Sequence, residues 1–334
     1  MNQLSGAVLG RSPEIVRPAP EKADGGPIAA DRPPVAFIDL KSQYARIGKQ
    51  VSAAIQDVVT SGRYIMGPVV EELERRLEDY TGAAHAIGVS SGTDALFIPI
   101  LAHGIGEGDA VFMPAFTFTA TAEVVVLAGA TPVFVDVDPE TFNISISDLK
   151  AKVAAIKREG KLRPAAFLAV DLFGQPADYR GLAHIADVDS MLVIADAAQS
   201  FGAQADNRRV GTMGSLTATS FYPSKPLGCY GDGGAIFTDD EELAGRIRSV
   251  RSHGEGAERY DNVRIGVNGR LDAIQAAVLL TKMDIFDDEL KARARVAETY
   301  DQALAGLVQT PHRIEGVKSA WAQYTVKARD RDGL

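Results

Sequence analysis

The sequence predicts an α/β protein built on a largely parallel sheet with helices on both faces. Two observations carry that expectation. From Ala84 onward, short apolar runs alternate with stretches of helical spacing, the pattern of strands joined by crossover helices. The polar motifs of the chain then fall just after those runs, where the carboxyl ends of parallel strands bind ligands. Seven runs read as strands: AIGV (86–89), AVFM (110–113), PVFVDV (132–137), AAFLAV (165–170), MLVIAD (191–196), TATSFY (217–222) and GGAIFT (233–238).

The elements follow in order. Residues 1–34 are rich in Pro, Gly, Ala and scattered charge (RPAPEKADGG, then DRPP) and read as a disordered leader. Structure is expected to begin at VAFIDL (35–40). Tyr44, Ile47, Val51, Ile55, Val58 and Val59 recur at helical spacing until Gly62; Val69, Leu73, Leu77 and Tyr80 do so until Gly82. Helices are expected between the strands at 93–102, 119–128, 147–158 and 179–186. Ser147 is the expected N-cap of the third and Gly160 its stop. Residues 240–251 read as helical, and a longer helix begins at 272–282 and continues over 289–307. AWAQYTVKA (320–328) reads as a strand.

Composition narrows the function. A chain of 334 residues with 46% hydrophobic content can bury a large core. Its net charge is −9 with no basic block, which argues against nucleic acid and anionic membranes. The single cysteine, Cys229, can form no internal disulfide, which fits a reducing compartment. With no apolar run of membrane-spanning length and no signal peptide at its start, the chain reads as soluble and cytoplasmic. Its five histidines are dispersed, without metal-ligand spacing. No P-loop and no G-x-S-x-G occurs, and GIGEG (104–108) follows a helix, so it reads as a turn.

Five motifs can carry chemistry, and each has a plain structural reading beside it. SSGTDAL (90–96) follows a strand and opens a helix, so Gly92 and Thr93 offer free amides to an anion; a simple N-cap is the alternative. In IADAAQS (194–200), Asp196 ends a buried strand, ahead of Gln199. It calls for a cationic partner such as a pyridinium nitrogen, unless it caps a helix. Lys225, in TSFYPSKPLGCYGDGG (219–234), sits among Phe221, Tyr222, Pro223, Pro226 and Leu227. Burial lowers a lysine's pKa and frees its amine to attack a carbonyl, and Ser220 stands five residues away as a phosphate donor. The plain reading is a glycine-rich surface turn. Phe118, in MPAFTFTAT (113–121), can lie on an aromatic ring or belong to the core. Asn268 and Arg270, in NGRLD (268–272), precede a helix; Arg270 suits either a surface ion pair or an oxyanion clamp.

Taken together these motifs resemble the DegT/DnrJ/EryC1/StrS family of sugar aminotransferases, from residue 35 to about 328. FIDLKSQYARI, SGRYIMGPVVEELE, PVFVDVDPETFNI, DLFGQPAD, RSHG and VNGRLDAIQAAVL add to the five motifs above. The resemblance implies the fold type I of pyridoxal 5′-phosphate (PLP) transferases, aspartate-aminotransferase-like: a mostly parallel seven-stranded sheet between helices, then a small α+β domain. It divides the chain into a large PLP-binding domain (35–282) and an incomplete small C-terminal domain (283–334). It also implies roles. Lys225 matches the Schiff-base lysine, Asp196 the partner of the pyridinium nitrogen, Gln199 the neighbour of the ring hydroxyl and Phe118 the aromatic stacked on the ring. Gly92, Thr93 and Ser220 match phosphate contacts. Asn268 matches an asparagine reaching the phosphate of the other subunit in a homodimer with a shared active site.

The stretch PSKPLGCYGDGGAIFT looks most like the family members acting on UDP-2-acetamido-2-deoxy-3-oxo-glucuronate. That implies a UDP-sugar acceptor, glutamate as donor, 2-oxoglutarate as product, and a place in O-antigen biosynthesis. Arg270 is then the candidate for the sugar's carboxylate. The alternatives are a 4-keto sugar nucleotide as acceptor, or a truncated PLP-binding remnant with little turnover. A dehydratase of the same fold is disfavoured because Lys225 stands where those enzymes carry histidine. A nicotinamide enzyme is disfavoured by the absent dinucleotide fingerprint.

Overall fold

Helix α1 (Leu40–Ser61) opens where the Asp39 carboxylate accepts from the Ser42 amide and closes on Gly62, whose left-handed backbone returns its N–H to the Val58 and Val59 carbonyls. Helix α2 (Pro68–Thr81) starts on a proline and ends at left-handed Gly82. Both occupy the predicted segments. The computed structural model describes residues 37–258 and 260–333. The leader expected over 1–34 lies outside the described residues.

All seven predicted runs are strands of one sheet. They are β1 (His85–Val89), β2 (Asp109–Pro114), β3 (Thr131–Val135), β4 (Arg163–Val170), β5 (Leu192–Asp196), β8 (Leu216–Ser220) and β9 (Gly234–Thr238). A short hairpin, β6 (Gln204–Ala205) and β7 (Arg208–Arg209), separates the fifth run from the sixth and was not expected. The spatial order is β1-β9-β8-β5-β4-β2-β3. Every pairing is parallel except those of β9, which runs antiparallel to both β1 and β8.

The crossovers are α3 (Gly92–Ala102), α4 (Ala120–Leu127), α5 (Ile146–Glu159) and α6 (Tyr179–Asp189), followed by α7 (Glu241–Arg251) after β9. Alternate strand residues separate the two faces, as the two-residue period of a strand requires. Val111, Met113, Leu168 and Ile194 pack with Ile98 of α3, Val125 of α4 and Ile247 of α7. Phe112, Phe167 and Val193 pack on the other side with Leu149 and Val153 of α5 and Leu182 of α6. The long helix α8 (Ala273–Leu304) packs Ala276, Leu279 and Phe286 with Leu73 and Leu77 of α2 and with Phe237 of β9. It runs through the boundary expected near residue 282.

Two local expectations are corrected. The N-cap of α5 is Ser145, not Ser147: Ser145 is extended and its hydroxyl accepts from the Asp148 amide at 3.3 Å, whereas Ser147 lies inside the first turn. The run 320–328 is not a strand. Trp321 takes a positive φ of 50°, which breaks the extended backbone, and the Ala320 amide donates to the Gly174 carbonyl at 2.9 Å. What does pair there is β10 (Val317–Lys318), antiparallel to β6, and the single residue Lys327, in an isolated antiparallel bridge with Gln309.

Candidate active site

The carboxyl ends of β1, β4, β5 and β8 share one edge of the sheet, where antiparallel β9 begins. Asp196 is the last residue of β5, in register with Val170 of β4 and Ala218 of β8. It is buried, and its carboxylate accepts from the Ala198 amide at 3.1 Å. Burial pushes its carboxyl above the ordinary carboxylate range, against the Ala198 hydrogen bond and the positive charge of Lys225.

Lys225 lies in the loop from β8 to β9. The loop is folded tightly on itself: the Lys225 amide donates to the Tyr222 carbonyl at 2.6 Å, and the Cys229 amide to the Phe221 carbonyl at 2.7 Å. A Cβ on Gly228 would stand 2.5 Å from the Pro223 carbonyl oxygen, so only glycine closes this turn. The lysine is half-buried. Burial lowers its amine below the usual lysine range while the Asp196 charge opposes that. The result is a lysine held closer to neutrality than a surface one, with a carboxylate in electrostatic reach.

Opposite stands the turn from β1 to α3. The Ser91 hydroxyl caps α3 by accepting from Asp94 N–H at 3.0 Å. Helix geometry leaves the earlier amides, those of Gly92 and Thr93, without intrahelical partners. A Cβ on Gly92 would come within 2.5 Å of the Ser220 Cβ, so the missing side chain lets the end of β8 lie against the start of α3. The Ser220 hydroxyl, which accepts from Tyr222 N–H at 3.3 Å, is thereby brought to the same place. Two free amides and a hydroxyl at a helix N-terminus suit a phosphate.

The segment before α8 runs alongside. Ser90 N–H donates to the Gly269 carbonyl at 2.9 Å and Val89 bridges to Arg270, so Asn268 and Arg270 flank this turn. Asn268 is exposed. Arg270 is half-buried, and its Nε has no hydrogen-bond partner among the described residues. Gln199 accepts from Phe173 N–H at 2.7 Å through its side-chain oxygen. Phe118, 70% exposed, stands at the entry to α4. The Phe116 and Phe173 rings meet edge-on at 6.2 Å, which joins the Phe118 loop to the residue that Gln199 holds.

One residue escaped the sequence reading. Asp171 directly follows β4 and is fully buried beside Asp196, its N–H donating to the Asp196 carbonyl at 3.0 Å. Burial is the main cause that pushes its carboxyl up to about 7. The signal was present: an aspartate at the end of an apolar run, as Asp196 is.

Residues 45–333 match the DegT/DnrJ/EryC1/StrS aminotransferase family. The chain is 47% identical over 301 residues to the UDP-2-acetamido-2-deoxy-3-oxo-D-glucuronate aminotransferase of Pseudomonas aeruginosa, covering 90% of this chain and 82% of that one. It superposes with a TM-score of 0.88 on the crystal structure of a DegT DnrJ EryC1 StrS aminotransferase from Brucella abortus, at 54% identity over 90% of this chain and 80% of that one. DesV of S. venezuelae, solved in complex with a ketimine intermediate, superposes at 0.85 with 38% identity, covering 90% and 80% of the two chains. The chain therefore belongs to the DegT/DnrJ/EryC1/StrS family of sugar aminotransferases, fold type I enzymes that work with pyridoxal 5′-phosphate.

Proposed function

We propose that this protein moves an amino group from glutamate to a keto UDP-sugar, at C3 of UDP-2-acetamido-2-deoxy-3-oxo-glucuronate, for surface polysaccharide such as O-antigen. The observation that carries the reading is that Lys225 lies within electrostatic reach of Asp196 at the sheet edge that also holds the Gly92–Ser220 cradle. The residues fit the cofactor: an anion cradle at one end, a buried carboxylate for a cationic nitrogen, and an amine of lowered pKa. The 47% identical relative from Pseudomonas aeruginosa supports the choice of sugar.

Each residue then has a task. Bound PLP supplies an electron sink for the substrate carbon. Lys225 would hold the cofactor by its aldehyde, and its free amine would serve as the base at the reacting carbon. Asp196 would hold the ring nitrogen and favour its protonated form. Gln199 would hold the ring at its hydroxyl and Phe118 would hold it by stacking. Gly92, Thr93 and Ser220 take the phosphate, and Asn268 reaches the phosphate of the partner in a homodimer. Arg270, with its unpaired Nε, receives the carboxylate of the sugar. The enzyme works in the cytoplasm. The described residues hold no helix long and apolar enough to cross a membrane.

The experiment is spectroscopic first. The purified protein with PLP is expected to be yellow, with a visible band that borohydride abolishes and Lys225→Ala removes. Glutamate is expected to bleach the band and release 2-oxoglutarate. A colourless protein after PLP addition sinks the reading. A panel of keto sugar nucleotides tests the acceptor: the 3-keto uronate is expected to be aminated, and Arg270→Ala to raise its KM about tenfold or more. A preference for a 4-keto sugar lacking the carboxylate overturns the choice of sugar.

A further inference from the structure

One buried carboxylate has no part in that scheme. Asp171 is fully enclosed, and its hydrogen-bond partners are all neutral. Its Oδ1 accepts from Ala177 N–H at 2.8 Å and from the Tyr179 hydroxyl at 2.6 Å; its Oδ2 accepts from the Ser200 hydroxyl at 2.6 Å. No lysine, arginine or histidine pairs with it among the described residues. An unpaired buried carboxylate is costly, and a neutral side chain of the same shape would make the same packing at less cost.

The surroundings show what the charge can act on. Asp171 N–H donates to the Asp196 carbonyl, so the two carboxylates hang from backbones joined by one hydrogen bond at the ends of adjacent strands. The titratable groups facing Asp171 are Tyr179 from α6 and Asp196 from β5, and behind Asp196 stands Lys225 from the following loop. Tyr179 stays neutral, since burial raises its hydroxyl well above the ordinary range. The Asp196 charge adds to burial in opposing the ionisation of Asp171.

We propose that Asp171 is a positioning residue whose negative charge, set directly behind Asp196, strengthens the hold of Asp196 on a cationic ring nitrogen. The inference rests on the assignment of Asp196 to that nitrogen. A cation at Asp196 offsets the Asp196 charge, which adds to burial in opposing ionisation of Asp171, so binding of the cation favours the ionised form of Asp171. By linkage, an ionised Asp171 favours the cation in return. Binding through the ring nitrogen thus tightens as pH rises through the titration of Asp171, up to about 7.

The test compares the intact protein with Asp171→Asn by calorimetric titration with pyridoxamine 5′-phosphate, which carries the ring nitrogen and cannot condense with Lys225. Asparagine can accept from Ala177 and Tyr179 and donate to Ser200, so it keeps the packing and removes the charge. The variant is expected to bind about tenfold more weakly near pH 8, with the gap narrowing near pH 6. Equal affinity at both pH values overturns the inference, because a purely structural role survives the exchange. Ser200→Ala offers an independent reading should Asp171→Asn fail to fold. Losing that donor raises the Asp171 titration further and is expected to move the onset of tight binding to higher pH; an unchanged profile overturns the inference. If the unaltered protein takes up no pyridoxamine phosphate at all, the cofactor assignment falls as well, whereas equal tight binding by all three sinks only the role of Asp171.

Discussion

At the scale of single residues, the site depends on atoms that are absent as much as on those present. Gly92 has no side chain to keep Ser220 at a distance. A methyl group there would sit 2.5 Å from the Ser220 Cβ, far inside van der Waals contact, with a strand and a helix start on either side. Gly92→Ala is expected to leave the fold intact and to weaken PLP uptake about tenfold or more, measured by titrating the visible band. Asp171 makes the opposite point. Its folded pKa of about 7 lies above the ordinary carboxylate value of 3.8, so the folded state binds more protons than the unfolded one between those pH values. Stability is lost as pH rises across that window. Asp171→Asn is expected to raise the melting temperature near pH 8, a gain of roughly 1–4 kcal/mol, and to raise it little near pH 4. A melting temperature lowered equally at both pH values contradicts this.

At the scale of elements, the turn after β1 is held from behind. Arg251, the last residue of α7, is buried and pairs with Glu74 of α2 at 2.7 Å. The same guanidinium donates to the Gly88 carbonyl at 2.9 Å, and Glu74 accepts from Gly88 N–H at 2.8 Å. Helices α2 and α7 thus converge on one residue of β1, Gly88, four residues before Gly92. Arg251→Ala strands Glu74 without its counter-ion and is expected to cost about 3 kcal/mol in denaturant unfolding. The double variant Arg251→Ala, Glu74→Gln is expected to recover part of that loss, because it removes the stranded charge as well. Equal destabilisation in the single and double variants tells against the pair.

At the scale of the whole molecule, two buried groups of opposite sign shape how stability follows pH. Lys282, on α8, is 2% exposed and donates to the Gly228 carbonyl at 2.6 Å; burial lowers its amine to about 8 from 10.5. A lowered lysine restores stability as pH rises from about 8 toward its unfolded value, whereas Asp171 loses stability up to about 7. Their combined contribution is lowest between those two values. Melting curves of Asp171→Asn and Lys282→Met are expected to lose, respectively, the acid and the alkaline arm of that trough. Persistence of both arms in both variants overturns the assignment.

Most of this molecule was legible in its sequence, for reasons that differ by feature. The seven apolar runs announced the sheet because a strand covered on both faces has no other composition open to it. Gly62, Gly82 and Gly160 announced helix ends because the left-handed turn there favours glycine. Lys225, Asp196 and Gly92 stood out because each is an unusual residue in its local setting. The reading failed where a local pattern had two outcomes. Ser145 and Ser147 are equally good caps by type, and the chain path into α5 chose the first. The run 320–328 has strand-like composition, but hydrogen bonds to Gly174 and Phe173 hold it against a different surface. By itself, then, the sequence determined the layered α/β fold and the family, and marked Lys225 and Asp196 as site candidates, since these follow from period, composition and motif. Only the tertiary structure decided what surrounds them. That Ser220 fills the space left by Gly92, and that Asp171 stands behind Asp196, depends on which strands become neighbours. Strand order is set by packing between segments far apart in the chain, and no local pattern records it.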